Sequence, residues 1–315
     1  MISCINGQFV DEDDAKISIF DRGFLYGDGC FETLRVWEQK PAFWNQHIQR
    51  LTRSLQALQI SLNISNDTLA PLAQDLIEAN QLSHGVLRIQ VTRGQGPRGY
   101  STRGAKEPTC VITFHPLPPH LENDSPSWTL GTSRFKLDSS NPIHTHKTSN
   151  KLLQVLGKSE AEENGVDDVL FVNAEGHVIE TSSANIFWLK EDQLYTPPLH
   201  TGALPGITRR AVLEVASELG QPVKEQLATI SDLQHADGLL LTQSVWELIT
   251  VNSLDGQALG HPPFFATLRA TYQAKRADSC QAFPNSLNRD QLIVAGEKLL
   301  ERQGRQGNKR RPSQC

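Results

Sequence analysis

The stretch from 116 to 126, PLPPHLENDSP, limits the fold more than any other part of the chain. Its four prolines fix φ and remove backbone donors, so no helix and no central strand can pass through it. The polar residues after them favour an exposed connection. The chain is therefore expected to fold as two units, residues 1–116 and 128–276, joined by a linker at 117–127. A length of 315 residues suits two ordinary domains.

Hydrophobic periodicity fills in each unit. Residues 31–37, FETLRVW, alternate in the manner of a half-buried strand. Ile48, Leu51, Leu55 and Leu58 recur at helical spacing, and Leu69, Leu72 and Leu76 begin a second amphipathic helix. Residues 85–91 and 109–114 read as paired strands around a Gly/Arg-rich loop at 93–104. Beyond the linker, strands are expected at 128–135, 169–173, around Val178, and at 185–189, 239–242 and 248–251. Helices are expected at 151–164 and 208–219, the second ended by Gly220 as a C-cap. Strands outnumber helices without strict alternation, which predicts an α+β fold rather than a doubly wound sheet. From residue 277 the composition turns basic, with six Lys/Arg between 298 and 311. A short helix near 292–300 followed by a disordered, solvated terminus is the expectation there.

Bulk properties narrow the function. A net charge of -5 argues against a globally basic surface for nucleic acid. No apolar run approaches the roughly 18 residues of a membrane span. The start, MISCINGQFVDEDD, lacks the basic and apolar regions of a secretory signal. Five scattered cysteines without a CxxC fit reduced thiols in the cytoplasm.

Four local patterns carry chemistry, and each has a plainer alternative. Residues 203–209, ALPGITR, place a Pro-Gly turn directly before a helix, whose free N–H groups suit a phosphate. An ordinary helix start capped by Thr208 is the alternative. Glu180 precedes a run of small residues, TSSAN, that would let a flat group approach the backbone; a surface glutamate before a tight turn reads the same way. Lys147 sits beside His144 and His146, which suits either a solvated loop or an imine-forming lysine in a desolvated pocket. The two histidines lack a third ligand at a recognised spacing, so no metal is expected. Arg50 borders the apolar stripe of its helix, where it either reaches a pocket or packs its stem along that stripe.

Taken in order, Lys147, Glu180 before SSANIF, LYT at 194–196 and LPGITR at 204–209 resemble the signature of the fold-type IV pyridoxal-phosphate enzymes. YGDG at 26–29 and HIQRL at 47–51 extend the resemblance, which runs from about residue 3 to about 272. It implies pyridoxal 5'-phosphate as cofactor and a homodimer with its sites near the subunit interface. Lys147 is implied as the Schiff-base lysine and Glu180 as the partner of the pyridine nitrogen. Arg50, the amides of Ile207 and Thr208, and Gln243 with Ser244 are implied as the phosphate cup.

Within that group, which includes branched-chain and D-amino-acid aminotransferases, the details resemble the 4-amino-4-deoxychorismate lyases. The branched-chain enzymes carry a tyrosine five residues after the lysine, where this chain has Leu152. Thr33 falls where the lyases have a catalytic threonine. Arg98 and Tyr100, in the RGYS ending of the 94–101 loop, match the lyase loop, and with Tyr26 they are implied in binding substrate. The implied reaction converts aminodeoxychorismate to 4-aminobenzoate and pyruvate, in folate biosynthesis; an aminotransferase of the same fold is the alternative.

Overall fold

The computed structural model describes residues 1–62, 66–105, 107–118, 121 and 126–284. The first unit runs β1 (Ile2–Ile5), β2 (Gln8–Asp11), α1 (Arg22–Tyr26), β3 (Gly29–Trp37), β4 (Lys40–Pro41), α2 (Trp44–Ala57), α3 (Asn66–Asn80), β5 (Gly85–Thr92) and β6 (Thr109–His115). Its strands form one antiparallel sheet in the order β2-β1-β6-β5-β3-β4. The apolar stripe of α2 (Ile48, Leu51, Leu55) packs on the sheet, in a core with Leu34, Val36, Leu87 and Ile89. Alternation along β3 puts Cys30, Glu32, Leu34 and Val36 on one face. Phe31, Thr33, Arg35 and Trp37 are left for the other.

The second unit begins with β7 (Ser127–Lys136), α4 (Leu152–Glu163), β8 (Asp168–Val172), β9 (Val178–Thr181), β10 (Asn185–Lys190) and β11 (Gln193–Thr196). It continues with α5 (Ile207–Glu218), β12 (Lys224–Glu225), α6 (Ile230–Gln234), β13 (Gly238–Gln243), β14 (Glu247–Leu254), β15 (Gln257–Ala258) and α7 (Pro263–Gln281). These strands make a mixed sheet ordered β12-β11-β10-β13-β14-β7-β8-β9, with β15 on the β14 edge. The path then closes on itself, because β9 pairs back to β10 through Glu180 and Asn185. Strands outnumber helices and do not alternate strictly with them, so the chain is the mixed, α+β kind expected. One sheet uses residues 2–115 only and the other residues 127–258 only.

Two expectations change. Strand β3 is covered on both faces rather than half-buried, and Glu32 in its middle is fully enclosed. The second unit packs over what would otherwise be its solvent side. The boundary at 276 also falls too early, inside α7, which continues to Gln281. Beyond it Phe283 is buried in the first unit's core, with its ring edge-on to Trp44 at 5.1 Å between centroids. Helix α7 escaped detection because its buried stripe reads Phe265, Leu268, Tyr272, Arg276, Cys280, too mixed to register as apolar. The expected helix near 292–300 and the basic terminus lie outside the described residues.

Truncation after residue 276 is therefore expected to destabilise the protein, whereas truncation after residue 284 leaves it unchanged. Phe283→Ala alone should cost about 3 kcal/mol, the usual loss for emptying a buried aromatic site. Denaturant unfolding of the three variants tests this; equal midpoints for both truncations would contradict it.

Candidate active site

A pocket of about 280 Å3 opens where the two units meet. Phe31 and Thr33 reach it from β3, Arg50 from α2, and Lys147 and Lys151 from the segment before α4. Glu180 and the 181–185 turn form another wall. Ile207 and Thr208 at the start of α5 and residues 242–245 complete it.

Lys147 follows a 3-10 turn at Pro142–Thr145. Phe31 N–H donates to Lys147 O at 3.0 Å and Ser149 N–H to Gly29 O at 2.9 Å, so this segment lies against the start of β3. The Lys147 ammonium is 4.7 Å from the Phe31 ring centroid. Burial pushes its pKa down from 10.5 to about 7; Arg50 and Lys151 push the same way, against Glu32 and Glu180. At that value a large share of the amine is neutral near pH 7 and able to attack a carbonyl.

Glu180 stands at the pairing that closes the second sheet. Its Oε2 accepts from Asn185 Nδ2 and from the Leu204 N–H, both at 2.9 Å. Among the described residues no hydrogen bond engages Oε1, which leaves it for a bound group. Burial raises the Glu180 pKa above the usual range, although the Leu204 N–H, Lys151, Lys147 and Arg50 all favour the charged form. Lys151, absent from the residues picked out by sequence, lines the same pocket; burial lowers its pKa, Glu180 opposes and Arg50 adds.

The end of the pocket at α5 is built for an anion. That helix starts at Gly206 without a side-chain cap, so its first N–H groups are free for a ligand. A Cβ at Gly206 would collide with Asn185 Oδ1, and only glycine lets the turn close on β10. Thr242 Oγ1, also in the lining, is buried without a hydrogen-bond partner. Gln243 Nε2 is 3.5 Å from Ser183 Oγ, and Ser244 lies beside it. Thr208 is buried, and its hydroxyl is hydrogen-bonded to Tyr272. Its contribution to an anion is thus its amide.

Arg50 is held by a residue that sequence reasoning missed. Its Nε and Nη2 donate to the two oxygens of Glu32, each at 2.7 Å, and its Nη1 donates to Pro205 O at 3.0 Å. Two of the five guanidinium N–H groups remain for an anion. His47 Nδ1 also lies 2.7 Å from Glu32 Oε2. Burial alone would raise the Glu32 pKa, but Arg50 and His47 outweigh it and hold it at about 2. The available signal was a glutamate inside an apolar strand, together with an arginine bordering an apolar helical stripe.

Three implied substrate-binding residues lie outside this pocket. Tyr26 accepts from the Gly99 N–H at 3.0 Å and stacks edge-on with Tyr100 at 5.7 Å. Arg22 pins the same loop by donating to Gly99 O and Tyr100 O. Arg98 is exposed and Tyr100 is 87% exposed, so this chain's own fold holds both on an outer surface. His144 lines the pocket, but no group of three or more potential metal ligands occurs among the described residues.

The donor set fits pyridoxal phosphate: an amine for its aldehyde, a carboxylate for its ring nitrogen, and amides, a hydroxyl and a guanidinium for its phosphate. Comparison with known proteins agrees. The "Putative branched-chain-amino-acid aminotransferase" of Methanocaldococcus jannaschii is 36% identical over 258 residues, covering 82% of this chain and 89% of that protein. Aminodeoxychorismate lyase of Bacillus subtilis is 31% identical over 254 residues, covering 80% and 86%. D-alanine aminotransferase of Bacillus licheniformis is 31% identical over 257 residues, covering 81% and 89%. Among solved structures, the branched-chain amino acid aminotransferase of Escherichia coli superposes with a TM-score of 0.82 at 26% identity, covering 87% and 93%. Residues 29–254 match the family described as Amino-transferase class IV, and the chain belongs to that family of pyridoxal-phosphate enzymes.

Proposed function

We propose that the protein is a 4-amino-4-deoxychorismate lyase, converting aminodeoxychorismate to 4-aminobenzoate and pyruvate in folate biosynthesis. The observation that carries this reading is Thr33: its position on β3 lines the same pocket as Lys147. A lyase needs a polar group near the departing enolpyruvyl oxygen, and a threonine hydroxyl supplies one. Leu152, five residues after Lys147, is 71% exposed and absent from the pocket lining, so no tyrosine-like group enters from there.

Bound pyridoxal phosphate supplies an electron sink for the pair left when a proton is removed beside nitrogen. Lys147 removes that proton from the ring carbon bearing the amine. Glu180 keeps a proton at the pyridine nitrogen, which maintains the sink. Thr33 relays a proton to the enolpyruvyl oxygen as its bond to the ring carbon breaks and regains one from that taken up by Lys147; the enol released then tautomerises to pyruvate. The amides of Ile207 and Thr208, with Arg50, Gln243 and Ser244, hold the phosphate.

The reading includes a homodimer in the cytoplasm. Ile19, Phe20 and Phe24 form exposed apolar surface on the approach to and within α1, close to Tyr26 and Tyr100. A second copy docking there would bring Arg98, Tyr100 and Tyr26 toward a neighbouring pocket, where Arg98 would bind a substrate carboxylate. Buried free thiols at Cys4, Cys30 and Cys280 suit a reducing compartment. The M. jannaschii and B. licheniformis relatives favour a second reading, aminotransfer to a keto acid.

Purified protein supplied with aminodeoxychorismate should release 4-aminobenzoate and should aminate 2-oxoglutarate only slowly. Efficient transamination without 4-aminobenzoate would establish the second reading instead. Thr33→Ala should lower elimination roughly 10- to 100-fold, the usual effect of losing a positioned proton-transfer group, while the cofactor stays bound. Glu180→Gln should also retain cofactor but lose activity on the order of 100-fold; unchanged turnover would make Glu180 a structural residue. A further expectation concerns pH. Because the Lys147 pKa is lowered to about 7 from 10.5, its reactive neutral form grows as pH rises through 7. Covalent capture of pyridoxal phosphate by the apo-protein should therefore accelerate with a midpoint near 7, and a midpoint near 10.5 would contradict the burial argument.

A further inference from the structure

The face of β3 that brings Phe31 and Thr33 to the main pocket continues across the first sheet onto β5. Thr33 pairs with Arg88 and Phe31 with Gln90 in the antiparallel register. Residues paired in this way share a face, with their Cβ atoms roughly 5 Å apart. Arg88 and Gln90 therefore extend the wall that Thr33 and Phe31 give to the pocket. Arg88 is half-buried, and its guanidinium carbon lies 3.9 Å from the Phe31 ring centroid. The side chain thus leans along the sheet toward Phe31 and the pocket, stacked on an aromatic face. The Lys147 ammonium approaches the same ring, at 4.7 Å.

Hydrogen bonds fix the guanidinium in that place. Arg88 Nε and Nη2 donate to Gln90 Oε1 at 3.3 and 2.9 Å. Gln90 Nε2 in turn donates to Ser149 Oγ at 3.1 Å, on the segment that carries Lys147. Gln90 is neutral, so these bonds orient the cation without cancelling its charge. The chain of contacts ties the position of Arg88 to that of the reactive amine.

We propose that Arg88 determines specificity for the leaving group by binding the carboxylate of the substrate's enolpyruvyl side chain. The inference rests on the lyase reading, in which Thr33 stands at the ether oxygen. That oxygen and the side-chain carboxylate are bonded to the same carbon, so the carboxylate falls beside whichever group holds the oxygen. The cross-strand neighbour of Thr33 on this face is Arg88. A guanidinium meets a carboxylate through charge-assisted hydrogen bonds, which are strongest where water is partly excluded. Contacts at both the oxygen and the carboxylate would fix rotation about the carbon–oxygen bond that breaks. Aminodeoxychorismate carries a second carboxylate on its ring, which is left for Arg98.

Steady-state kinetics of the holoenzyme with aminodeoxychorismate, together with inhibition by each product, tests this. Arg88→Gln should raise KM roughly 10- to 100-fold, as for losing a hydrogen bond to a charged group, and change kcat by less than about threefold. Inhibition by pyruvate, which retains the side-chain carboxylate, should weaken by a similar factor. Inhibition by 4-aminobenzoate, which retains only the ring carboxylate, should stay as in the wild type. Arg88→Lys, which keeps the charge but not the forked geometry, should show the same pattern with a smaller factor. Cofactor absorbance reports that each variant is folded. Unchanged KM in both variants, equal weakening for both products, or a fall in kcat alone would overturn the proposal while leaving the lyase reading intact. A wild type that releases no 4-aminobenzoate would overturn that reading, and this proposal with it, before any variant is made.

Discussion

The clasp of Glu32 on Arg50 is the interaction on which the rest of the site depends. Glu32 is fully enclosed in the middle of β3 and accepts from Arg50 twice and faces His47 within hydrogen-bond distance. The bidentate geometry uses the stronger kind of charge-assisted bond and fixes the guanidinium plane. The remaining Arg50 contact, to Pro205 O, crosses to the turn that starts α5. A carboxylate of the first unit thereby orients a cation at the end of the pocket where α5 of the second begins. Losing either partner would leave a buried charge alone, which is far more costly than the pair itself is favourable.

The same clasp shapes the chemistry at the other end of the pocket. Arg50 is the second strongest influence on Lys147 after burial, and both favour the neutral amine. Glu180 experiences the reverse: burial favours its neutral form while the surrounding cations favour its charge. A bound pyridine nitrogen would give that carboxylate its missing partner, just as an aldehyde would consume the amine. Both pKa displacements thus describe a pocket whose charges are arranged for a group that completes them.

Sequence revealed those parts whose signal is local. The helix holding Arg50 follows a clean 48, 51, 55 stripe, and the uncapped start of α5 is written in its Pro-Gly turn. That Lys147 and Glu180 line one pocket was legible only through their order with the other motifs, since each alone looks like a surface residue. Glu32 was hidden because alternation in FETLRVW predicts a wet face, and only tertiary packing shows that both faces are covered. Helix α7 was hidden by the Tyr272 and Arg276 in its buried stripe. The placement of Arg98 and Tyr100 away from the Lys147 pocket depends on the route of a loop, for which no periodicity exists.

Glu32, which is not expected to touch the cofactor, should govern its binding by orienting Arg50. Affinity of the apo-protein for pyridoxal phosphate and for pyridoxal, measured in Glu32→Gln beside the wild type, tests this most directly. Loss of a buried charge partner is worth about 3 kcal/mol, so affinity for pyridoxal phosphate should fall on the order of 100-fold, while affinity for pyridoxal, which lacks the phosphate, should change little. Equal losses for both ligands would mean that Glu32 merely supports the fold, and no loss for either would contradict the account.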